Sequence, residues 1–433
     1  MSPLQIGFLS CVALILLLAS SMPVAMVMGI VGAAGFALIA SPEAALHLIP
    51  MDLYGTFSSY SLTVIPLFIF MGQVAFHAGI SRKLFAAAHK WSGRLPGALA
   101  MATVGACTAF GAICGSGPAT AATMAAVALP EMRRHGYDDA LASGTVAAGG
   151  GIGMLIPPSV VFIVYGVLTQ QSIGKLFIAG ILPGLLVAVL FCAAIAIKCI
   201  LNPKLAPVPP ASTWKERFKA LFGVIDMLAL FALVMGGMFA GWFTPTEGAA
   251  VGAAGSVVVA AIAGKCSRKM LWKALHETLR TSCMVMAIIA GANIYGHFLA
   301  VTEIPAALAT WLSGLQVPSF AVISLIMLFF FVAGCFVDSL ALILLTVPIF
   351  YPVILKLHCD PIWFGAMIVL VTQMGVITPP VGVNVYVVSG MERDIPLQTI
   401  FRGAMPFLLA LVVAAVMMMV FPSIVTCLPH LMK

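Results

Sequence analysis

Apolar runs close to the ~20 residues a helix needs to cross a hydrocarbon core follow one another along the whole chain, separated by short joints rich in Pro, Gly and charge. In the first half this pattern predicts helical spans over 4–21, 23–40, 61–80, 140–169 and 176–197, an amphipathic stretch over 82–95 and an apolar hairpin over 97–130. The hairpin, with GAICGSGPAT at its middle, is too short for two crossings of about 20 residues each plus a turn. It predicts a re-entrant loop that enters and leaves on one side. The span over 140–169 is interrupted by glycines and by Pro157-Pro158.

These interruptions recur. A shift of 222 positions pairs Pro23 with Pro245, Pro96 with Pro318, Pro130 with Pro352, Asp138 with Asp360, Gly153 with Gly375, and Pro157-Pro158 with Pro379-Pro380. After one inserted residue, Gly180 meets Gly403 and Pro183 meets Pro406. An ordered series at one offset reads as an internal repeat. The first copy covers 1–205, with scaffold spans 1–80, hairpin 97–130 and broken span 140–169. A basic linker covers 206–221. The second copy covers 222–433, with scaffold spans 223–300, hairpin 319–352 and broken span 361–390. Five spans and one re-entrant hairpin per copy is an odd number of crossings, so the two repeats are predicted to have inverted topology.

Composition agrees with the pattern. Of 433 residues, 62% are hydrophobic and 8% charged, against about 25% charged in soluble domains, which excludes a large soluble core and predicts an all-α polytopic membrane protein. The net charge of +7 reports orientation rather than nucleic-acid binding. With the linker placed in the cytoplasm, ten spans leave only Lys175, Lys356 and Lys433 of the 21 basic residues outside. Arg94 and the other basic residues fall inside, and both termini are predicted to be periplasmic. The first 20 residues lack Lys and Arg, so an uncleaved first span is expected. The ten cysteines are scattered through apolar runs without a Cys-x-x-Cys pair and read as buried apolar residues.

The chemistry lies at the breaks. Pro157-Pro158 removes the helical partners of the Gly153 and Met154 carbonyls, and Pro379-Pro380 does the same for Gly375 and Val376. Free carbonyls at membrane depth are costly unless a polar group occupies them. A Pro-Pro pair can also be a packing kink. Here, however, each pair stands 41 residues after a polar hairpin tip, Ser116 in one half and Asp338 in the other. Two broken helices at matching places point to a secondary transporter's midplane site. Asp338 is predicted to lie deep in the membrane, as an ion ligand or as the cap of a returning half-helix. A channel would need polar rings along a pore. An intramembrane hydrolase would need a second catalytic group near Asp338, and there is no HExxH pair.

The segments GAICGSGPATAATMAAVALPEMRRHGYDDA, GMLIPPSVVFIVYG, FTPTEGAAVGA, FVDSLALILLTVPIFYPV and GVITPPVGVN resemble the large membrane subunit of tripartite ATP-independent periplasmic (TRAP) transporters over nearly the whole chain. The resemblance implies an elevator-type carrier in a bacterial inner membrane, performing sodium-coupled uptake of an organic acid. It implies no cofactor besides sodium as coupling ion. The implied partners are a small four-helix membrane subunit, separate from this chain, and a periplasmic substrate-binding protein. By motif match, sodium would sit near Ser116, Gly117, Gly153 and Ser159 in one half, and near Asp338, Gly375, Thr378 and Asn384 in the other. The carboxylate substrate would meet Ser116, Thr120, Pro158, Asp338, Pro380 and Asn384. The family often carries Asn where Gln373 stands. The alternative is a stand-alone sodium- or proton-coupled carboxylate symporter of related inverted-repeat fold.

Overall fold

The computed structural model describes residues 2–20, 22–93, 95–207, 213–314 and 318–431. Arg94, Lys433 and part of the linker lie outside the described residues. The first half contains α1 (Pro3–Ala19), α2 (Val24–Ile39), α3 (Pro42–Phe57), α4 (Val64–His77), α5 (Ile80–Ser92), α6 (Ala98–Cys114), α7 (Gly117–Arg134), α8 (Asp139–Leu155), α9 (Val160–Thr169) and α10 (Ile173–Leu201). A linker helix α11 (Trp214–Phe222) follows. The second half contains α12 (Ile225–Phe239), α13 (Pro245–Ile262), α14 (Arg268–Thr302), α15 (Ile304–Gly314), α16 (Ser319–Gly334), α17 (Ser339–Lys356), α18 (Pro361–Gly375), α19 (Val383–Met391), α20 (Leu397–Val420) and α21 (Ser423–Leu431). No strand occurs among the described residues.

Local chemistry sets the helix ends. Asp138 accepts a hydrogen bond from the Leu141 N–H at 2.9 Å and starts α8. Asp360, 222 positions later, accepts from Ile362 and Trp363 at 2.7 and 3.0 Å and starts α18. Thr244 and Glu247 form a reciprocal capping box on α13. The helix starts keep the same spacing elsewhere, with α7 and α17 both 18 residues long and beginning at 117 and 339.

Among the described residues, seven helical stretches are long and apolar enough to cross a membrane, or eight if the bent pair α11–α12 is one span. Several spans expected from sequence fall short of that length. Helices α1 and α2 have 17 and 16 residues, and the 361–390 segment is divided into α18 and α19. Conversely, α17 passes on length although the sequence assigns it to a re-entrant hairpin. The 41–60 loop is largely helix α3 and a 3-10 turn over Tyr60–Thr63. Its counterpart in the second half is continuous with the following span, giving the 35-residue α14.

Helix α8 occupies the centre of the fold. Every residue from Leu141 to Leu155 is buried, and α8 packs against α6, α7, α18 and α20. A second group of contacts joins α14 to α2 and α4, and α13 to α4 and α12. All ten cysteines are free thiols. No cluster of His, Cys, Asp and Glu with metal-ligand grouping occurs among the described residues.

Candidate substrate cavity between the hairpin tips

Each hairpin is tied to its broken helix in the same way. In the first half, Gly111 of α6 lies on Gly153 of α8, where a Cβ on Gly111 would come within 2.6 Å of the Gly153 Cα. In the second half, Gly334 of α16 lies on Gly375 of α18, and a Cβ on Gly375 would overlap the Gly334 carbonyl. One backbone hydrogen bond then fixes the chain beyond each Pro-Pro pair. Val160 N–H donates to the Gly115 carbonyl at 3.4 Å, and Val381 N–H donates to the Cys335 carbonyl at 3.2 Å. Both Pro-Pro peptide bonds are cis.

The first hairpin turns at Gly115, whose φ of +64° is the left-handed region that glycine enters without cost. Glycine is needed there twice over, because a Cβ would also overlap the Pro158 carbonyl. Ser116 follows in an extended conformation and begins α7, yet its side chain makes no capping hydrogen bond. At the second tip Asp338 occupies the same role but does cap its helix, with Oδ2 accepting from the Leu340 N–H at 3.0 Å.

The two tips meet at one cavity of about 300 Å³. Ser116 and Gly117 line it from one hairpin, Asp338 and Ser339 from the other. The first turns of three helices reach it: Gly117 to Ala119 of α7, Val160 and Val161 of α9, and Ser339 and Leu340 of α17. The opposite wall comes from α4 and α14, with Gln73 and Thr281 as its polar side chains. No Lys, Arg or His side chain is among the described residues lining the cavity. Asp338 caps α17 and the Val160 N–H is taken by the Gly115 carbonyl, whereas α7 has no side-chain cap, so the positive end of its dipole is the place for an anion without a cationic side chain. Asp338 adds one negative charge, which calls for a cation beside it.

The expected site residues take different places. Asp338 is exposed at the cavity, because a half-helix cap at a hairpin tip faces the space between elements. Three of the carbonyls released by proline have other donors. Ser159 Oγ donates to Met154 O at 2.5 Å, Thr378 N–H to Gly375 O at 3.1 Å, and Asn384 N–H to Val376 O at 3.0 Å. Each retains a second lone pair. Thr120 is fully buried beneath the first tip and donates through Oγ1 to the Ser116 carbonyl at 2.8 Å. Thr378 turns back to the Met374 carbonyl at 2.7 Å. Pro158, Ser159, Pro380 and Gly153 are not among the residues that line the cavity.

Asn384 departs furthest from its expected place. Its amide donates to the Ala147 carbonyl of α8 at 3.0 Å, joining the second broken helix to the first. Its Oδ1 is buried without a partner. Gln373, also wholly buried, lies against Gly151 of α8 with neither amide atom partnered. One wholly unpartnered amide, Gln373, and one unpartnered amide oxygen, Asn384 Oδ1, are therefore buried against the broken helices. Ser339, beside Asp338 at the second tip, lines the cavity, while sequence reasoning missed Gln73 and Thr281, which belong to helices far away in the chain and carry no local signal.

This arrangement can be set beside known proteins. The family model described as the DctM component of the tripartite ATP-independent periplasmic transporters matches residues 11–424. The chain belongs to this family. It is 36% identical to the C4-dicarboxylate TRAP transporter large permease protein DctM of Pseudomonas aeruginosa, over 91% of each chain. It is 32% identical to the sialic acid large permease SiaM of Vibrio cholerae over 91% of this chain and 92% of the relative. It is 31% identical to the ectoine/5-hydroxyectoine large permease UehC of Ruegeria pomeroyi over 84% of this chain and 85% of the relative. In fold, this TRAP large subunit resembles the YdaH transporter of Alcanivorax borkumensis, with a TM-score of 0.65 at 16% identity, covering 89% of this chain and 90% of that one. The tripartite family name supplies the coarse setting: a large permease working with further components.

Proposed function

We propose that this TRAP large subunit moves an organic acid across a bacterial inner membrane, driven by sodium. It receives the acid from a periplasmic binding protein and works beside a small four-helix membrane subunit. The observation that carries this reading is the meeting of both hairpin tips and three helix N-termini at one cavity. The substrate carboxylate binds at the first tip, where Ser116 leaves the start of α7 uncapped. Sodium neutralises Asp338 at the second tip, and a further sodium lies behind Ser116 and Gly117 toward Gly153 and Ser159. Gly375, Thr378 and Asn384 complete the ion positions of the second half. The two repeats are inverted in the bilayer, and both termini are periplasmic. The hairpins and broken helices move as a body against the wall formed by α4 and α14, which exposes the cavity to one side and then the other.

Proteoliposomes holding the large and small subunits test this. Succinate, sialic acid and ectoine, compounds of the kinds named for the relatives, are offered in turn with the purified binding protein. Uptake of one of them is expected only with an inward sodium gradient and the binding protein present. Uptake without sodium would refute the coupling. Uptake by the large subunit alone would favour the stand-alone symporter.

A further inference from the structure

The linker helix α11 packs on α5, the helix that leads into the first hairpin, and still leaves an aromatic stripe largely exposed. Trp91 of α5 donates through Nε1 to the Arg217 carbonyl at 3.1 Å, and its ring meets the edges of Trp214 and Phe218 at 6.5 and 6.0 Å. Lys90 of α5 pairs with Glu216 at 3.3 Å. The Arg217 guanidinium lies over the Trp214 ring at 4.9 Å and close against Gly93.

The aromatic residues of α11 keep an open side beyond these edge contacts with α5. Trp214, Phe218 and Phe222, spaced four residues apart, are 66%, 50% and 69% exposed. This stripe continues into Ile225 and Leu228, exposed on the flank of the span α12. Beside the stripe stand Lys215 and Lys219, both exposed, while the one carboxylate of α11, Glu216, is taken by Lys90 and by the Thr213 N–H. The axis of α11 turns 57° from that of α12. On α5, Arg82 and Lys83 are exposed as well. An aromatic stripe flanked by lysines, continuous with a lipid-facing span but turned away from its axis, matches a helix lying in the interface of an anionic bilayer.

We infer that α11 is an anchor for anionic lipid headgroups and holds α5 at the bilayer surface. The aromatic stripe enters the headgroup boundary, and Lys215 and Lys219 meet the headgroup charges. Through the Trp91 contacts the start of the first hairpin is referenced to that surface. The inference does not depend on the transported acid or on sodium.

Amide hydrogen exchange of the large and small subunit complex tests it, in nanodiscs of phosphatidylcholine alone and with phosphatidylglycerol added. A lysine at an anionic surface contributes roughly fivefold in binding, so the pair gives roughly 25-fold. The amides of 217–222 should slow by up to that factor in the phosphatidylglycerol discs, with α5 slowing beside them. Lys215→Gln with Lys219→Gln should remove the difference while leaving exchange in phosphatidylcholine unchanged. Equal exchange of the wild-type complex in both discs would overturn the proposal, and this arm needs no variant. So would a lipid response that survives the double substitution. Protection that follows the small subunit, absent without it and indifferent to lipid charge, would make α11 a protein interface instead.

Discussion

Asp338→Asn separates the two tasks placed on one side chain. Asp338 Oδ2 accepts the Leu340 N–H at 3.0 Å, and the asparagine carbonyl presents an oxygen to the same donor. Asn and Asp cap helices about equally well, so the change costs folding only a few tenths of a kcal/mol. The charge is another matter. A unit charge about 4 Å from a cation contributes about 4 kcal/mol at an effective dielectric constant of 20, close to a thousandfold in affinity. The exposed setting of Asp338 admits solvent screening, and the asparagine oxygen remains a ligand. A rise of roughly 10- to 100-fold in half-saturating sodium is therefore expected. The assay is uptake into proteoliposomes at stepped sodium concentrations, with the thermal unfolding midpoint measured on the same preparations. Unchanged sodium dependence in a variant that transports normally would refute the argument and leave Asp338 as a cap alone.

Gly375→Ala should lower stability by about 1–3 kcal/mol, since its Cβ overlaps the Gly334 carbonyl and either the hairpin or the broken helix must shift; thermal unfolding and uptake should fall together. Burial holds the Asp52 carboxyl above the usual carboxylate range, against the pull of His297 at 3.2 Å. Its stabilising contribution is thus complete below about pH 4 and lost as pH rises through the raised value. At pH 7.5 Asp52→Asn should leave the unfolding midpoint equal or higher, whereas His297→Ala should cost about 1–3 kcal/mol by leaving the buried carboxylate unpaired; the reverse order would contradict the assignment. A reporter active only in the cytoplasm, fused at the C-terminus, should be silent, and a strong signal would overturn the inverted orientation.

Proline, glycine and capping carboxylates made much of the fold legible. Pro157-Pro158 and Pro379-Pro380 divide α8 from α9 and α18 from α19, while GSGPAT and VDSL mark the turns into α7 and α17. These are backbone effects, local and readable one residue at a time. The site was legible only in part for the opposite reason. Gln73 and Thr281 reach the cavity by the packing of α4 and α14, and Asn384 reaches Ala147 across 237 positions. Apolar length alone does not separate a crossing from a hairpin arm, because α17 in the expected hairpin has 18 residues and α1 in an expected span has 17. Helix α3, between the expected spans, contains Pro50 within it.

The central claim is that the cavity between the hairpin tips holds the transported acid together with sodium. Cys114, at the end of α6, lines that cavity, while Cys107 is buried and Cys427 exposed on α21. The decisive measurement is the rate of modification of Cys114 by a charged thiol reagent in the wild-type complex, read peptide by peptide by mass spectrometry. The acid that drives uptake, added with sodium, should slow Cys114 several-fold and leave Cys427 unchanged, with a smaller effect from either alone. Equal Cys114 rates with and without the acid and sodium, under conditions that support transport, would contradict the account.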